Sequence, residues 1–398
     1  MLQNNSTESL NYELSMEEEM CTPNSSYNIS EDEAQVYIYP KGHIFLVTVI
    51  LPFIFCIGLV SNAAFIYVAM RIKHMRTVTN KYLLNLSISD IIFLAAAIGD
   101  KLWKYMSSPV MGDYTSIGHA GCILGYFLSD MSYFASLIFV TIVSLDRFLA
   151  VCRPQDRNNP IKGKSTHIVA ASWILSCILA GALIPANAAF AVYCTIWPDI
   201  TQFAHWPSVI SFCFPVRDWF GDFATGVQTI PFFVTLVLNL YLYVSIIKGL
   251  DECIERMSQH GVAKSKDSSM RQQIARMLVV NGVTFFFLLA PFELGSLFQM
   301  IASLRGGATY IYLISNSTAR SYMMLLARIM SYFNSAINPL IYTAMCRRYR
   351  EAFKQAFIPV SWRNRFEHGL SPRECRVSAL PSQTDETKLH TEINDTNL

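Results

Sequence analysis

Long apolar stretches separated by short polar ones run through most of the chain. Ile44–Met70, Ile168–Ile196 and Phe223–Ile247 contain no charged residue. Four further stretches carry one interior charge each: Tyr82–Ile98 with Asp90, His119–Leu145 with Asp130, Met277–Leu304 with Glu293, and Tyr322–Cys346 with Arg328. A helix needs about 20 mainly apolar residues to cross a bilayer, where it must satisfy its own backbone polar groups. The pattern therefore predicts an all-α membrane protein with seven transmembrane helices. Pro52, Pro185, Pro231, Pro291 and Pro339 fall inside these stretches. Proline is tolerated there because neighbours can satisfy the freed carbonyls, and bends are expected at these points.

Charge in the connecting segments sets the orientation. Arg71, Lys73, Arg76 and Lys81 follow the first span, and Arg147, Arg153, Arg157, Lys162 and Lys164 follow the third. Lys248, Arg256, Lys264, Lys266, Arg271 and Arg276 follow the fifth, and Arg347, Arg348, Arg350 and Lys354 the seventh. The alternate segments are poor in lysine and arginine, so the N-terminus is expected outside and the C-terminus in the cytoplasm. Residues 1–42 read as a disordered, acidic extracellular tail with glycosylation sequons at Asn4, Asn5, Asn24 and Asn28. Residues 43–346 read as the bundle, 347–358 as a short amphipathic eighth helix on the inner leaflet, and 359–398 as a disordered cytoplasmic tail. The sequon at Asn394 falls on the cytoplasmic side of this arrangement.

Composition narrows the function. The chain is 398 residues long, 52% hydrophobic and only 15% charged, with a mean hydropathy of +0.32. Soluble domains carry about 25% charged residues. The net charge of +2 does not suit a polyanion binder, and ten cysteines in this length are too sparse for a disulfide scaffold. No phosphate loop, metal-ligand spacing or nucleophile elbow occurs, so an enzyme is not expected and no cofactor is implied. A transporter is the rival membrane class, but the chain shows no internal repeat of the kind many transporters carry.

Short motifs now stand in order, one to a span. The first span has Gly-Leu-Val-Ser-Asn at Gly58–Asn62, and the second ends its run Asn-Leu-Ser-Ile-Ser-Asp at Asp90. The third ends in Asp146, Arg147 and Phe148, the fourth holds Trp173, and the fifth and sixth hold Pro231 and Pro291. The seventh has Asn338, Pro339 and Tyr342 in Asn-Pro-Leu-Ile-Tyr, followed by the basic and apolar run Arg347–Phe357. Together these resemble the rhodopsin-like G-protein-coupled receptors, and the run Arg76–Asp90 looks most like the neuropeptide receptors among them. The resemblance implies a multi-pass plasma-membrane receptor that takes an extracellular ligand, such as a short peptide, and activates a heterotrimeric G protein. A small polar metabolite or a biogenic amine is the alternative ligand class.

The resemblance also implies roles for residues. Asp90 with Asn62, Ser136, Asn334 and Asn338 matches a sodium pocket, where an allosteric ion on Asp90 would favour one packing of the bundle. Asp146, Arg147, Pro291, Pro339 and Tyr342 match the switch that opens towards the G protein. Cys122 pairs by resemblance with a cysteine of the second outer loop, either Cys194 or Cys213; Cys213 is favoured, and Cys21 could then bridge to the other. The ligand site is expected among Asp100, Lys104, Ser129, Asp130, Tyr133, Glu293, Met324 and Arg328, whose mixed charge suits a polar ligand with several groups. Glu293 and Arg328 could instead pair with one another. Ser129 stands where amine receptors have an aspartate, and the seventh span has no lysine for retinal.

Several positions depart from the pattern. Leu288 and Leu289 replace the cysteine and tryptophan before Pro291, Asn239 replaces a tyrosine in the fifth span, and Arg271 stands where some members have an acid facing Arg147. Weak restraint of the resting state, with basal activity, is the expectation. In the C-terminal tail Ser382, Thr384 and Thr387 resemble the phosphorylation code read by arrestins. The closing Thr396–Leu398 fits a PDZ ligand.

Overall fold

A computed structural model of the protein describes residues 26–153, 163–259, 266–304 and 318–357. Seven long helices form the bundle: α1 (Leu51–Arg71), α2 (Val78–Ser107), α3 (Gly118–Cys152), α4 (Ser165–Leu183), α5 (Trp219–Gln259), α6 (Lys266–Leu304) and α7 (Thr318–Met345). A short helix, α8 (Arg347–Phe357), follows at once. Among the described residues, six of the seven are long and apolar enough to cross a membrane. Large apolar side chains such as Phe53, Ile174, Ile178, Val234, Val237 and Phe287 lie exposed on their outer faces, as expected where the solvent is hydrocarbon. The inward faces bury a large core that includes Phe65, Tyr82, Phe134, Phe139, Phe285 and Tyr342, and a second cluster of Leu51, Ile54, Leu94, Ile98 and Tyr332 lies among α1, α2 and α7.

Local chemistry sets the helix ends. Thr77 accepts a hydrogen bond from the Asn80 amide at 3.3 Å and so caps α2. A π-turn over Leu46–Ile50 precedes α1, just before Pro52. Between α2 and α3 the connector turns at Gly112 (φ 84°) and enters α3 through Gly118 (φ 63°), a left-handed region that a Cβ disfavours. α4 ends in a 3₁₀ turn, Ile184–Ala186, that contains Pro185.

A small three-stranded sheet closes one end of the bundle. β2 (Ala189–Ile196) and β3 (Val209–Phe214) pair antiparallel with Ala189 opposite Phe214 and Cys194 opposite Val209. β1 (Ser26–Asn28) pairs parallel with β2, Ser26 opposite Cys194. The opposite end carries Arg147, and the two are called here the sheet end and the arginine end.

Two expectations are corrected here. The charge-free run Ile168–Ile196 is not one helix: the helix stops at Leu183 and the run finishes as β2. The expected disordered tail is ordered from Ser26 onwards. Ile29 and Ala34 are buried with Phe203 against Trp197 and Trp206. Ser30 and Glu33 form a reciprocal capping box over the turn Glu31–Ala34. Tyr37 packs edge-on against Trp197 at 5.7 Å, and its carbonyl accepts from the Met111 amide at 2.8 Å. Apolar residues spaced through an acidic segment supply the burial that pins it.

α1 packs closely on its neighbours at Gly58. A Cβ added there would lie 2.3 Å from Leu94 Cδ1 and 3.1 Å from Ala336 Cβ. Gly58→Val is therefore expected to destabilise the purified protein by about 1–3 kcal/mol, as overpacking does, read as an earlier thermal transition in detergent. An unchanged transition would mean that α1 can back away from α2 and α7 without cost.

Candidate functional site: a charged cavity above a polar core

A cavity of about 190 Å³ opens towards the sheet end among α2, α3, α6 and α7. Asp100, Ser129, Asp130, Tyr133 and Arg328 line it, together with Lys101, Tyr114, Tyr126, Leu289, Phe292 and Tyr332. The charges are arranged unequally. Lys104 Nζ is 2.7 Å from Asp100 Oδ2 one helical turn away and 3.3 Å from the centre of the Tyr114 ring, so it stands one layer outside the wall. The Arg328 guanidinium sits 5.8 Å from the centre of the Phe292 ring. Asp130, in contrast, makes no hydrogen bond or ion pair among the described residues, although it lines the cavity. The Tyr114 and Tyr126 hydroxyls meet at 2.6 Å and their rings stack.

Besides Lys104, two more of the residues expected in the ligand site stand off the cavity wall. Met324 packs on α6, where a Cβ on Gly295 would be 2.8 Å from its Sδ. Glu293 is completely buried behind the wall and accepts a hydrogen bond of 2.7 Å from Tyr133 Oη. The Glu293–Arg328 pair is not formed. Lys101, one of the charges expected in the upper spans, lines the cavity, and so do Tyr114 and Tyr126, which the sequence marks only by the aromatic content of the connector and the first turns of α3.

Below the cavity lies a buried polar layer. Asn338 donates to Asp90 Oδ2 at 2.8 Å. Ser136 and Ser335 stand beside the same carboxylate, and Ser136 shares a 3.0 Å hydrogen bond with Ser89. Asn62 does not reach Asp90; its amide donates to the Gly58 and Ser335 carbonyls at 2.9 Å, tying α1 to α7. Asp90 Oδ1, Asn62 Oδ1 and Asn334 Oδ1 are buried without a hydrogen-bond partner among the described residues. Unpartnered carboxylate and amide oxygens in one layer are the hard donors that a small cation needs, so these residues fit such an ion.

At the arginine end Arg147 Nη2 lies 2.6 Å from Asp146 Oδ2 and also donates to Thr79 Oγ1. Thr79 in turn donates to Asp146 Oδ2 at 2.7 Å, closing a three-member network. Arg147, Arg271 and Arg348 line a cleft of about 230 Å³ with Tyr349. Tyr349 donates to Asn80 at 2.6 Å and docks α8 against α2. Arg348 donates to the His74 carbonyl, and burial together with the Arg348 charge holds the His74 imidazole below its ordinary pKa. Asn239 donates to Thr141 at 2.9 Å, while Tyr243, one turn further along α5, shares a hydrogen bond of 3.1 Å between its hydroxyl and Ser144. The fifth span thus carries a tyrosine one turn beyond position 239, where the family pattern places it. Tyr342 packs edge-on against Phe65 at 5.3 Å in the core.

The sheet is fastened to the bundle by a disulfide between Cys122 in the first turns of α3 and Cys213 in β3, with Cα atoms 5.7 Å apart. This is the pairing favoured from the resemblance. Cys194 is disulfide-bonded as well; Cys21, expected to be its partner, lies outside the described residues. So do Asn4, Asn5, Asn24, Asn394, Ser382, Thr384, Thr387 and Thr396–Leu398. Asn28 is described and is exposed in β1.

The chain is similar to known proteins over most of its length. The thyrotropin-releasing hormone receptor of Homo sapiens is 25% identical over 361 residues, covering 81% of both chains. The growth hormone secretagogue receptor type 1 of Sus scrofa is 26% identical over 332 residues, covering 82% of this chain and 84% of the other. Somatostatin receptor type 5 of Rattus norvegicus is 26% identical over 311 residues, covering 78% and 77%. Residues 61–342 match the family model described as 7 transmembrane receptor (rhodopsin family), and with that match over most of the chain the protein belongs to the rhodopsin family of seven-transmembrane receptors, a G-protein-coupled receptor and not an enzyme.

Proposed function

We propose that the receptor binds a short extracellular peptide in the charged cavity and passes the event to a G protein at the arginine end. The observation that carries this reading is Asp130, an acidic side chain lining the cavity with no hydrogen-bond or ion-pair partner among the described residues. An uncompensated carboxylate at that depth is costly unless a ligand cation meets it. Arg328 across the same cavity offers a counterpart for a carbonyl or carboxylate. A peptide with a basic group and a second polar end uses both. The relatives named for thyrotropin-releasing hormone and somatostatin support a hormone-like ligand.

In this reading the sheet end and the N-terminus are extracellular, with glycans on Asn28 and on the sequons at Asn4, Asn5 and Asn24. A sodium ion on Asp90, reached by Ser136 and Asn334, would add a positive charge that favours the resting packing. Activation frees Arg147 from Asp146 as α6 swings about Pro291, while Pro339 and Tyr342 let α7 follow. Phosphorylated Ser382, Thr384 and Thr387 then recruit arrestin, and the last residues serve a PDZ domain.

The test is a screen of amidated and free peptides on cells expressing the full chain, followed by Asp130→Ala and Arg328→Ala against the active peptide. Each substitution is expected to raise the half-maximal concentration about tenfold or more, as loss of a buried charged contact does. Unaltered potency in both variants would place the ligand elsewhere.

A further inference from the structure

We infer that Glu293 is the positioning residue through which the cavity holds α6 at rest, acting through Tyr133, in the place where the family's tryptophan is missing. Three observations meet here. Tyr133 lines the cavity, and its hydroxyl donates to Glu293 Oε1 at 2.7 Å, with the Gln228 carbonyl a longer 3.4 Å away. Glu293 lies one helical turn beyond Leu289 on α6, and Leu289, the residue in the tryptophan position, is an apolar side chain that also lines the cavity. A leucine there contacts a ligand but makes no directional bond to α3. The Tyr133–Glu293 hydrogen bond supplies such a bond, and it joins α3 to α6 directly.

The remaining groups around Glu293 make the bond switchable. Its second oxygen, Oε2, is buried with no hydrogen-bond partner among the described residues. The buried Thr229 hydroxyl of α5 stands beside the same carboxyl, within reach of it. A carboxyl bonded to Tyr133 on one oxygen, with the Thr229 hydroxyl beside it, has a second hydrogen-bonding arrangement within reach. At the far end of α3, Arg147 is still tied to Asp146 and Thr79, so the bond belongs to the arrangement in which the arginine is not free. A ligand that displaces the Tyr133 ring removes the hold on α6, and its differential affinity for the two states is exerted at this contact. No ligand has to be known for this inference, because a resting-state bond is read out in the unliganded receptor. It therefore stands or falls separately from the peptide proposal.

The experiment measures ligand-free signalling of the full chain with G-protein dissociation sensors covering the main α-subunit classes, at matched surface levels. Tyr133→Phe removes one oxygen and is expected to raise ligand-free signalling about fivefold, the population shift from losing one buried hydrogen bond that only the resting state makes. Glu293→Leu is expected to do the same, and the double variant Tyr133→Phe with Glu293→Leu to rise no further than either alone. Glu293→Gln keeps a carbonyl acceptor for Tyr133 and is expected to stay near the parent level, a rescue that a purely structural role would not predict. Should Glu293→Leu fail to reach the surface, Tyr133→Phe and Glu293→Gln decide the matter alone. Parent-level signalling in Tyr133→Phe on every sensor, or additive rises in the double variant, overturns the inference.

Discussion

Replacing Cys213 by serine is expected to remove most of the receptor from the cell surface. The disulfide to Cys122 closes a loop of 91 residues in sequence separation. Removing a native disulfide of this kind costs about 2–5 kcal/mol, a large share of a typical folding free energy. The consequence reaches beyond the loop, because β3 holds the connector between α2 and α3. The Ser211 amide donates to Asp113 Oδ1 at 3.1 Å, and the Tyr114 amide donates to the Ser211 carbonyl at 2.9 Å. Tyr114 in turn lines the cavity. Loosening β3 therefore loosens the cavity wall. Flow cytometry on unpermeabilised cells measures the surface fraction, and Cys122→Ser is expected to match Cys213→Ser because the two share one bond. Surface levels near those of the parent in both variants would mean that backbone pairing alone holds the hairpin.

At the arginine end the expected effects have opposite signs. Arg147→Ala is expected to lower G-protein activation about tenfold or more while leaving surface level and occupancy of the cavity intact. Charge-assisted hydrogen bonds contribute about 1.5–3 kcal/mol each, so losing those an arginine makes to a partner is a tenfold matter. Asp146→Asn is expected to raise ligand-free activation instead, since it removes the charge that holds Arg147 at 2.6 Å. Thr79 remains as a second tether, so the rise is partial. Both are read by nucleotide exchange on membranes at matched receptor density. Equal falls in both variants would mean that Asp146 supports the helix end and does not restrain the arginine.

The spans were legible in the sequence because hydrocarbon sets a minimum length for apolar runs, and the motifs were legible because each lies in its own span. What escaped has physical causes. A charge-free run says that water is absent and not whether the backbone is helical, so β2 was absorbed into the fourth span although Pro185 marked the break. The acidic residues and sequons of the N-terminal segment masked the spacing of Ile29, Ala34 and Tyr37, which buries a small satellite core. Asp90 and Asn338 meet as expected, but Asn62 spends its amide on backbone carbonyls of α1 and α7, an alternative that spacing cannot distinguish. Glu293 looked like a ligand contact because a lone acid at membrane depth invites one; its partner, Tyr133, lies 160 positions away in sequence.

Because β1 is hydrogen-bonded along β2, the leading segment and the hairpin form one transplantable unit. A chimera that receives only the hairpin from another receptor would set foreign residues opposite Ser26–Asn28 and strip Ile29 and Ala34 of the cover that Phe203 and Trp206 give them. Exchanges meant to swap ligand preference should move residues 26–40 together with 189–214. Epitope tags are better placed ahead of Ser26 than between it and α1.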